Sequence, residues 1–281
     1  MKTRSFSCYS FGALFATFVM LLAACQQVST PTSLPTVQPT ATMLPAQPPT
    51  QPSATQPPAQ ATKPAASTSG PITLDLAGIA QSMTVETVAA VPASPDKPRT
   101  EVMPQYRRVT LQGYPVSNHR MQPQIFIFPA GDLASANENA GKAAADLQAL
   151  LQSRQAGDKL PFLPLDSSLQ VMHARVEYLD FKNGKGVAFL TQYNNGIVPI
   201  NNMQLIYTFQ GLTSDGKTYI AAVLPITQAD LPATDQASSI AGAEFQAAQA
   251  KTIAALEQQP GGSFTPDLAK LKAMIQSIAI P

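Results

Sequence analysis

The chain contains few of the residues that bind metals, form disulfides or attract nucleic acid. Among its 281 residues there are two cysteines, two histidines and no tryptophan, and charged residues make up 12%. Both thiols, Cys8 and Cys25, precede the globular part, so we expect that part to be stable by packing without disulfides. His119 and His173 are too few for a zinc site. The net charge of +1 provides no basic stripe for nucleic acid.

The sequence patterns of common enzymes are missing or stand in the wrong context. No G-x-S-x-G motif is present, and Glu177 and Asp180 point to opposite faces of a predicted strand. Residues 211–218 match the letters of a P-loop, but a P-loop opens a helix, whereas residues 219–224 read as a strand before Pro225. We therefore predict a hairpin turn there. We also predict that the protein is not an enzyme and has no cofactor, no metal site and no nucleotide partner.

The first 24 residues have the three zones that are typical of a cleaved secretory signal peptide. Lys2 and Arg4 supply a positive start, residues 11–22 form an apolar run, and small residues precede Cys25. The apolar run has about a dozen residues, whereas a spanning helix needs roughly 20. The sequence therefore predicts export, with a retained membrane anchor as a weaker alternative.

The end of this segment, Leu22-Ala23-Ala24-Cys25, resembles the lipobox of bacterial lipoproteins. The resemblance implies that the thiol of Cys25 receives a diacylglyceryl group and that cleavage makes Cys25 the new N-terminus. Acyl chains such as palmitate would then hold the protein on the outward face of the cell membrane, since two buried chains anchor firmly. An ordinary signal peptide with a chance cysteine is the alternative.

Residues 25–70 are predicted to form the lipidated N-terminus and a linker rich in proline, serine and threonine. Lys63 is the only charged residue in this stretch, and prolines recur every few positions. Such a segment buries too little apolar surface to offset its ordering entropy. Proline favours extended polyproline II geometry, so the upper limit of its reach is on the order of 140 Å.

The rest of the chain is predicted to be an α+β domain at 106–281, preceded by an extended arm at 71–105. The predicted strands cover 106–111, 124–128, 169–181, 186–193, 204–211 and 218–224. The predicted helices cover 132–155 and about 236–258, and a last helix starts at Thr265 and Pro266. Asn183-Gly184 and Asp215-Gly216 mark hairpins. We expect an antiparallel β-meander sheet covered by about three helices.

The globular part bears two further resemblances. The segments 180–186, 189–193 and 207–213 resemble a domain of uncharacterised lipoproteins from Chloroflexus-type bacteria, a family that implies no established activity. The order of elements is similar to that of Mog1/PsbP-like domains, which is an analogy of fold and does not fix function.

A polar loop at 194–202, beside the aromatic residues of the meander, is the predicted recognition surface. Its candidate residues are Tyr193, Asn194, Asn195, Asn201 and Asn202. We expect a non-catalytic binding or structural domain with an envelope or protein partner. The alternative is an enzyme that acts on an envelope polymer, with a site assembled from residues distant in sequence.

Overall fold

Seven antiparallel strands form the central sheet of the computed structural model, which describes residues 71–281. These strands are β1 (Ser82–Val88), β2 (Tyr106–Gln112), β3 (Gln124–Pro129), β4 (Leu169–Phe181), β5 (Gly184–Asn194), β6 (Ile206–Thr213) and β7 (Thr218–Pro225). Their order across the sheet is β1-β2-β3-β7-β6-β5-β4. A separate short ribbon pairs β8 (Thr227–Gln228) with β9 (Phe264–Thr265).

Four α-helices accompany the sheet. They are α1 (Ala130–Ala136), α2 (Glu138–Ser153), α3 (Gly242–Gln258) and α4 (Leu268–Ser277). The predicted α+β class with an antiparallel sheet is confirmed. None of the helices within residues 71–281 is long and apolar enough to cross a membrane.

Both faces of the sheet are covered by apolar packing. One face contacts α1, α2 and the apolar loop at 160–165, with Leu147 and Phe189 fully buried between them. The other face contacts α4 and the segment before β1, with Phe209 and Ile275 fully buried. Apolar residues therefore occupy both faces of the central strands, as their sequences predict.

The single helix predicted over 132–155 is two helices, because Asn137 interrupts it. Asn137 is extended (φ −154°), and its side-chain oxygen accepts hydrogen bonds from the N–H groups of Asn139 (2.9 Å) and Ala140 (3.4 Å), which caps α2. The prediction that Asp132 is the N-cap was wrong, since Asp132 lies in the first turn of α1, which begins directly after Pro129.

The start of the last helix also differs from the prediction. Thr265 belongs to β9 and pairs with Thr227, so it does not cap the helix. Asp267 does so, because its side chain accepts a hydrogen bond from the N–H of Ala269 at 2.7 Å. The predicted apolar stripe is confirmed, since every member is at least nine-tenths buried. Its members are Leu268, Leu271, Ile275 and Ile278.

Helix α3 starts later than predicted and is less buried than its apolar residues suggest. Only Leu256 is buried, and the predicted arc member Ala248 is exposed. The helix contacts the edge strand β4, where Gln249 Nε2 donates to the carbonyl of Val171 at 3.0 Å. A helix in this position protects the free edge of the sheet.

The segment 71–105 takes part in the fold more fully than an arm lying on a domain. It contains β1, which pairs with β2 over seven residues, and it places Ile72 and Ile79 in the core. The described residues fall within one compact unit. The predicted signal peptide at 1–24 and the predicted linker at 25–70, which include Cys25, lie outside the described residues.

Both predicted hairpins of the meander are confirmed. Phe181 pairs with Gly184, so the loop between β4 and β5 is Lys182-Asn183, one residue before the predicted turn. The P-loop-like segment is a hairpin turn between β6 and β7, in which Gly216 has a φ of +70°, a value that favours glycine.

Candidate functional site

The predicted recognition loop begins at the end of β5, where Tyr193 and Asn194 are 7% and 5% exposed. The Tyr193 hydroxyl accepts a hydrogen bond from Gln170 Nε2 at 2.9 Å, and its ring packs against Phe162 with centroids 4.6 Å apart. Burial raises the pKa of the Tyr193 phenol. Both polar atoms of the Asn194 amide are buried without a hydrogen-bond partner among the described residues.

The two asparagines at the other end of this loop stabilise the backbone. Asn201 is fully buried and accepts a hydrogen bond from the N–H of Met203 at 3.0 Å. Asn202 is half-buried; its amide nitrogen donates to the carbonyls of Gln228 (3.0 Å) and Leu231 (3.2 Å), and its oxygen accepts from the Gln228 N–H.

The exposure expected of the loop holds for its tip, where Asn195, Gly196 and Ile197 are exposed, but not for the residues that flank the tip. Tyr193 and Asn194 are buried as the last residues of β5, and the buried amide of Asn201 hydrogen-bonds the Pro199 carbonyl and the Met203 N–H. Of the five candidate residues only Asn195 is exposed.

The histidines are separate, and His119 has a structural role. Its Nδ1 accepts from the Met121 N–H at 2.9 Å, and its Nε2 donates to the carbonyl of Leu205 at 3.0 Å in the tautomer that satisfies both contacts. Burial lowers the pKa of His119, whereas the carbonyls of Met121 and Leu205, 3.1 Å and 3.0 Å from the ring nitrogens, favour the protonated ring and oppose that shift. His173 lies on β4 opposite Thr191. Within residues 71–281 no group of three His, Cys, Asp or Glu could hold a metal ion.

A large cavity lies at the opposite end of the sheet from this loop. It is an open groove of about 830 Å³ between α2 and the two hairpin turns, and we call it the hairpin-end groove. The wall from α2 consists of Ala144, Ala145, Gln148, Leu151 and Gln152, and the turns contribute Asp180, Lys182, Lys185, Ser214 and Gly216 among others.

Backbone contacts hold the two turns and the start of α1 side by side. The N–H of Ser214 donates to the carbonyl of Asn183 at 2.9 Å, and the N–H of Ala130 donates to the carbonyl of Lys217 at 2.8 Å. Gly184 is required here, because a Cβ at this position would lie 2.3 Å from the carbonyl oxygen of Leu212. The local backbone therefore fixes the floor of the groove.

The polar groups of the groove are suited to binding. Lys182 and Lys185 are exposed on its rim, and Asp180 is its only acidic lining residue. On the neighbouring turn, hydrogen bonds from the Thr213 hydroxyl and the Lys217 N–H lower the pKa of Asp215, which stays ionised. No second carboxylate faces Asp180 in the groove, so its lining residues provide no acid–base pair of the kind that hydrolases use.

Sequence reasoning identified both turns as hairpins but did not bring them together. Gln148 and Gln152 are spaced i, i+4 on α2 and therefore share one face of the helix, beside its apolar stripe. This spacing is the sequence signal for the wall of the groove that α2 provides. The two turns lie at the same end of the predicted meander, but the position of α2 beside them depends on the pairing of β3 with β7, which local patterns do not specify.

Comparisons of the chain with protein-family models, with curated proteins and with solved structures found no match.

Proposed function

We propose that the chain is a lipoprotein held by lipid on Cys25 at the outward face of the cell membrane. The support is the agreement of charge, apolar length and spacing in the first 25 residues with a signal peptide that ends in Leu22-Ala23-Ala24-Cys25. A linker of about 45 residues would place the domain well away from the lipid surface.

We further propose that the domain displayed there is a non-catalytic binding module that uses the hairpin-end groove. The observation that carries this proposal is the combination of size and lining: about 830 Å³, with amides, lysines, hydroxyls and a single carboxylate. Two lysines against one aspartate favour a partner that presents hydrogen-bond acceptors or negative charge. An envelope component or an exported protein has such groups.

Lipidation is tested by mass spectrometry of the N-terminal peptide of the protein purified from membranes. We expect a peptide that starts at Cys25 and carries acyl groups, and we expect Cys25→Ala to remain uncleaved and unlabelled by radioactive palmitate. An unmodified peptide that starts upstream of Cys25 would contradict the proposal.

Use of the groove is tested with two substitutions on the same helix. Ala145 and Ala149 are both exposed on α2, but only Ala145 lines the groove. With the full chain as bait in solubilised envelope, we expect a stoichiometric partner that Ala145→Trp loses at least tenfold and Ala149→Trp retains. If both variants captured the partner as well as the wild-type chain does, the groove would be excluded as its binding site. Turnover of envelope polymer by the wild-type chain would favour the enzymatic alternative.

A further inference from the structure

The outer edge of β1 is an open strand edge at one end of the sheet. Strand β1 pairs with β2 and with no other strand of the described residues. Five of its seven residues are exposed, and Val85 is one of three large apolar residues exposed in the range 71–281, at 46%. Within β1 there is no proline, lysine or bulge, which are usual devices that block edge-to-edge pairing, and its one charged residue, Glu86, is paired with Arg108.

The register identifies the backbone groups that face outwards. The N–H of Leu111 donates to the carbonyl of Pro123 on the β3 side, and successive residues of a strand face opposite edges. Thr110 and Arg108 therefore face β1, where they pair with Thr84 and Glu86. The N–H and C=O groups of the intervening residues point away from the sheet; they are Met83, Val85 and Thr87.

We propose that β1 pairs antiparallel with β1 of a second copy of the chain, about a two-fold axis through Val85. In this register all three outward residues take part, because Val85 pairs with Val85 and Met83 pairs with Thr87 in both directions. Each of the two copies contributes every outward N–H and C=O group, and two exposed valines come into direct contact. The result is one continuous sheet through both domains.

Charge favours this register over its neighbour. Glu86 lies opposite Thr84 of the second copy, whose hydroxyl can donate to a carboxylate, and Arg108 already neutralises Glu86 through an ion pair at 2.8 Å. Moving the axis by one residue, to Glu86, shifts the pairing by two residues and places two carboxylates directly opposite each other, which is destabilising.

Pairing with the chain's own linker is disfavoured by composition. Prolines recur throughout residues 26–70, and a proline cannot donate at the alternate positions whose N–H must face the partner strand. The self-pairing interface is short, since seven residues span about 24 Å. We therefore expect weak association, below the area of a standard stable interface, so the test relies on trapping.

The first experiment is disulfide trapping in intact cells with the full-length chain. Paired residues on the axis have Cα atoms about 5.5 Å apart, which a disulfide can bridge. We expect Val85→Cys to give at least fivefold more crosslinked dimer than Thr87→Cys, with position 85 linked to itself. The control is matched, because Thr87 is exposed on the same strand face, yet its two copies would lie roughly 14 Å apart. Equal trapping of both variants, or none above the wild-type chain, would overturn the proposal.

The second experiment measures association without a crosslink. Val85→Lys places like charges opposite each other on the axis, and the side chain at this position is exposed, so the fold is retained. In sedimentation experiments in detergent, we expect the full-length wild-type chain to be a concentration-dependent mixture of monomer and dimer. We expect the variant to be a monomer with an unchanged unfolding midpoint. A wild-type chain that is monomeric at all concentrations, or a variant that associates like wild type, would refute self-pairing. The first experiment needs export to an oxidising compartment, whereas the second depends neither on the hairpin-end groove nor on lipidation.

Discussion

Gln210 belongs to β6, and its side chain is fully buried against the apolar loop at 160–165. Its oxygen accepts hydrogen bonds from the Leu163 N–H (3.0 Å) and the Tyr219 hydroxyl (2.7 Å). Its nitrogen donates to the Leu163 carbonyl (3.1 Å) and to the Thr208 hydroxyl (2.8 Å). All the hydrogen-bonding capacity of the amide is used, so a loop without regular secondary structure is fixed to the core.

We expect Gln210→Leu to lower the free energy of unfolding by roughly 3 kcal/mol or more. The substitution leaves the Leu163 N–H, the Leu163 carbonyl and the Tyr219 hydroxyl buried without partners, and each such group costs about 1–3 kcal/mol. Urea denaturation of the full chain measures the change. Tyr219→Phe is the control, because it removes one hydroxyl and should cost no more than about 1.5 kcal/mol. If the two variants lost similar amounts of unfolding free energy, the contacts of Gln210 with Leu163 would contribute nothing beyond its hydrogen bond with the Tyr219 hydroxyl.

Residue-scale prediction succeeded for apolar positions and was weaker for polar ones. The apolar loop was expected to pack against the core, and Leu160, Phe162 and Leu163 are buried. By contrast, Asn201 reads as a surface residue in sequence, although its amide is used inside the loop. Hydrophobicity alone predicts burial of an apolar side chain, whereas a buried amide depends on partners that only the fold brings within reach.

At the scale of elements, α3 is held to the sheet mainly through Arg175. This residue lies in a β-bulge of β4 with a φ of +53°, and its N–H donates to Glu257 Oε1 at 2.7 Å. Its guanidinium Nη1 donates to the carbonyls at the end of α3, at 2.7 Å for Gln259 and 3.1 Å for Glu257. A positive charge at a helix C-terminus is favourable, so one side chain both caps the helix and joins it to the edge strand.

We expect Arg175→Ala to loosen α3 selectively. Besides Arg175, the helix is held by the buried Leu256, by the partly buried Ile253 and by the hydrogen bond from Gln249 to Val171. Hydrogen–deuterium exchange should show at least tenfold faster exchange across Gly242–Gln258, with little change in α2. Lys251→Ala, which changes an exposed residue of the same helix, should leave the exchange unchanged. Protection of α3 that survives in Arg175→Ala would contradict the assigned role.

Element prediction was most accurate where the pattern was local. The strands of the meander and their hairpins are confirmed because β-branched and aromatic residues alternate with strong turn signals. The break between α1 and α2 was missed because the apolar stripe from Leu133 to Leu150 continues on both sides of Asn137. Two helices that pack on one face share a stripe, so periodicity alone does not locate the cap between them.

At the scale of the whole molecule, the fold class follows from composition and element order, but the strand order does not. Strand β3 pairs with β7, which lies far along the chain, whereas β4 lies at an edge. The meander order β4-β5-β6-β7 puts the turn after β6 beside the turn after β4, and the pairing of β3 with β7 brings α1 and α2 next to them, which creates the hairpin-end groove. Long-range pairing depends on the summed burial of both sheet faces, which no window of sequence contains. The candidate groove therefore could not be predicted, although the turns that form it were.

The two ends of the described chain are tied together across the sheet. The backbone groups of Thr73 and Ala279 exchange two hydrogen bonds, at 3.1 Å and 3.0 Å, and Ile72 and Ile280 are both buried. The amide of Asn183, in the turn between β4 and β5, accepts from the N–H of Ile280 and donates to its carbonyl. The last residues thus connect the first segment to the turn at the floor of the groove.

Removal of residues 279–281 should consequently destabilise the domain as a whole. Burial of an isoleucine side chain contributes about 1.5–3 kcal/mol, and the Thr73 and Asn183 contacts would be lost with it. We expect the free energy of unfolding to fall by roughly 3 kcal/mol, measured by urea denaturation, with faster hydrogen exchange near both Thr73 and Asn183. Removal of Pro281 alone, which is exposed, should have little effect. If both deletions unfolded at the same urea concentration, the chain ends would not support the core, and the groove floor would have to be held by the hairpin contacts alone.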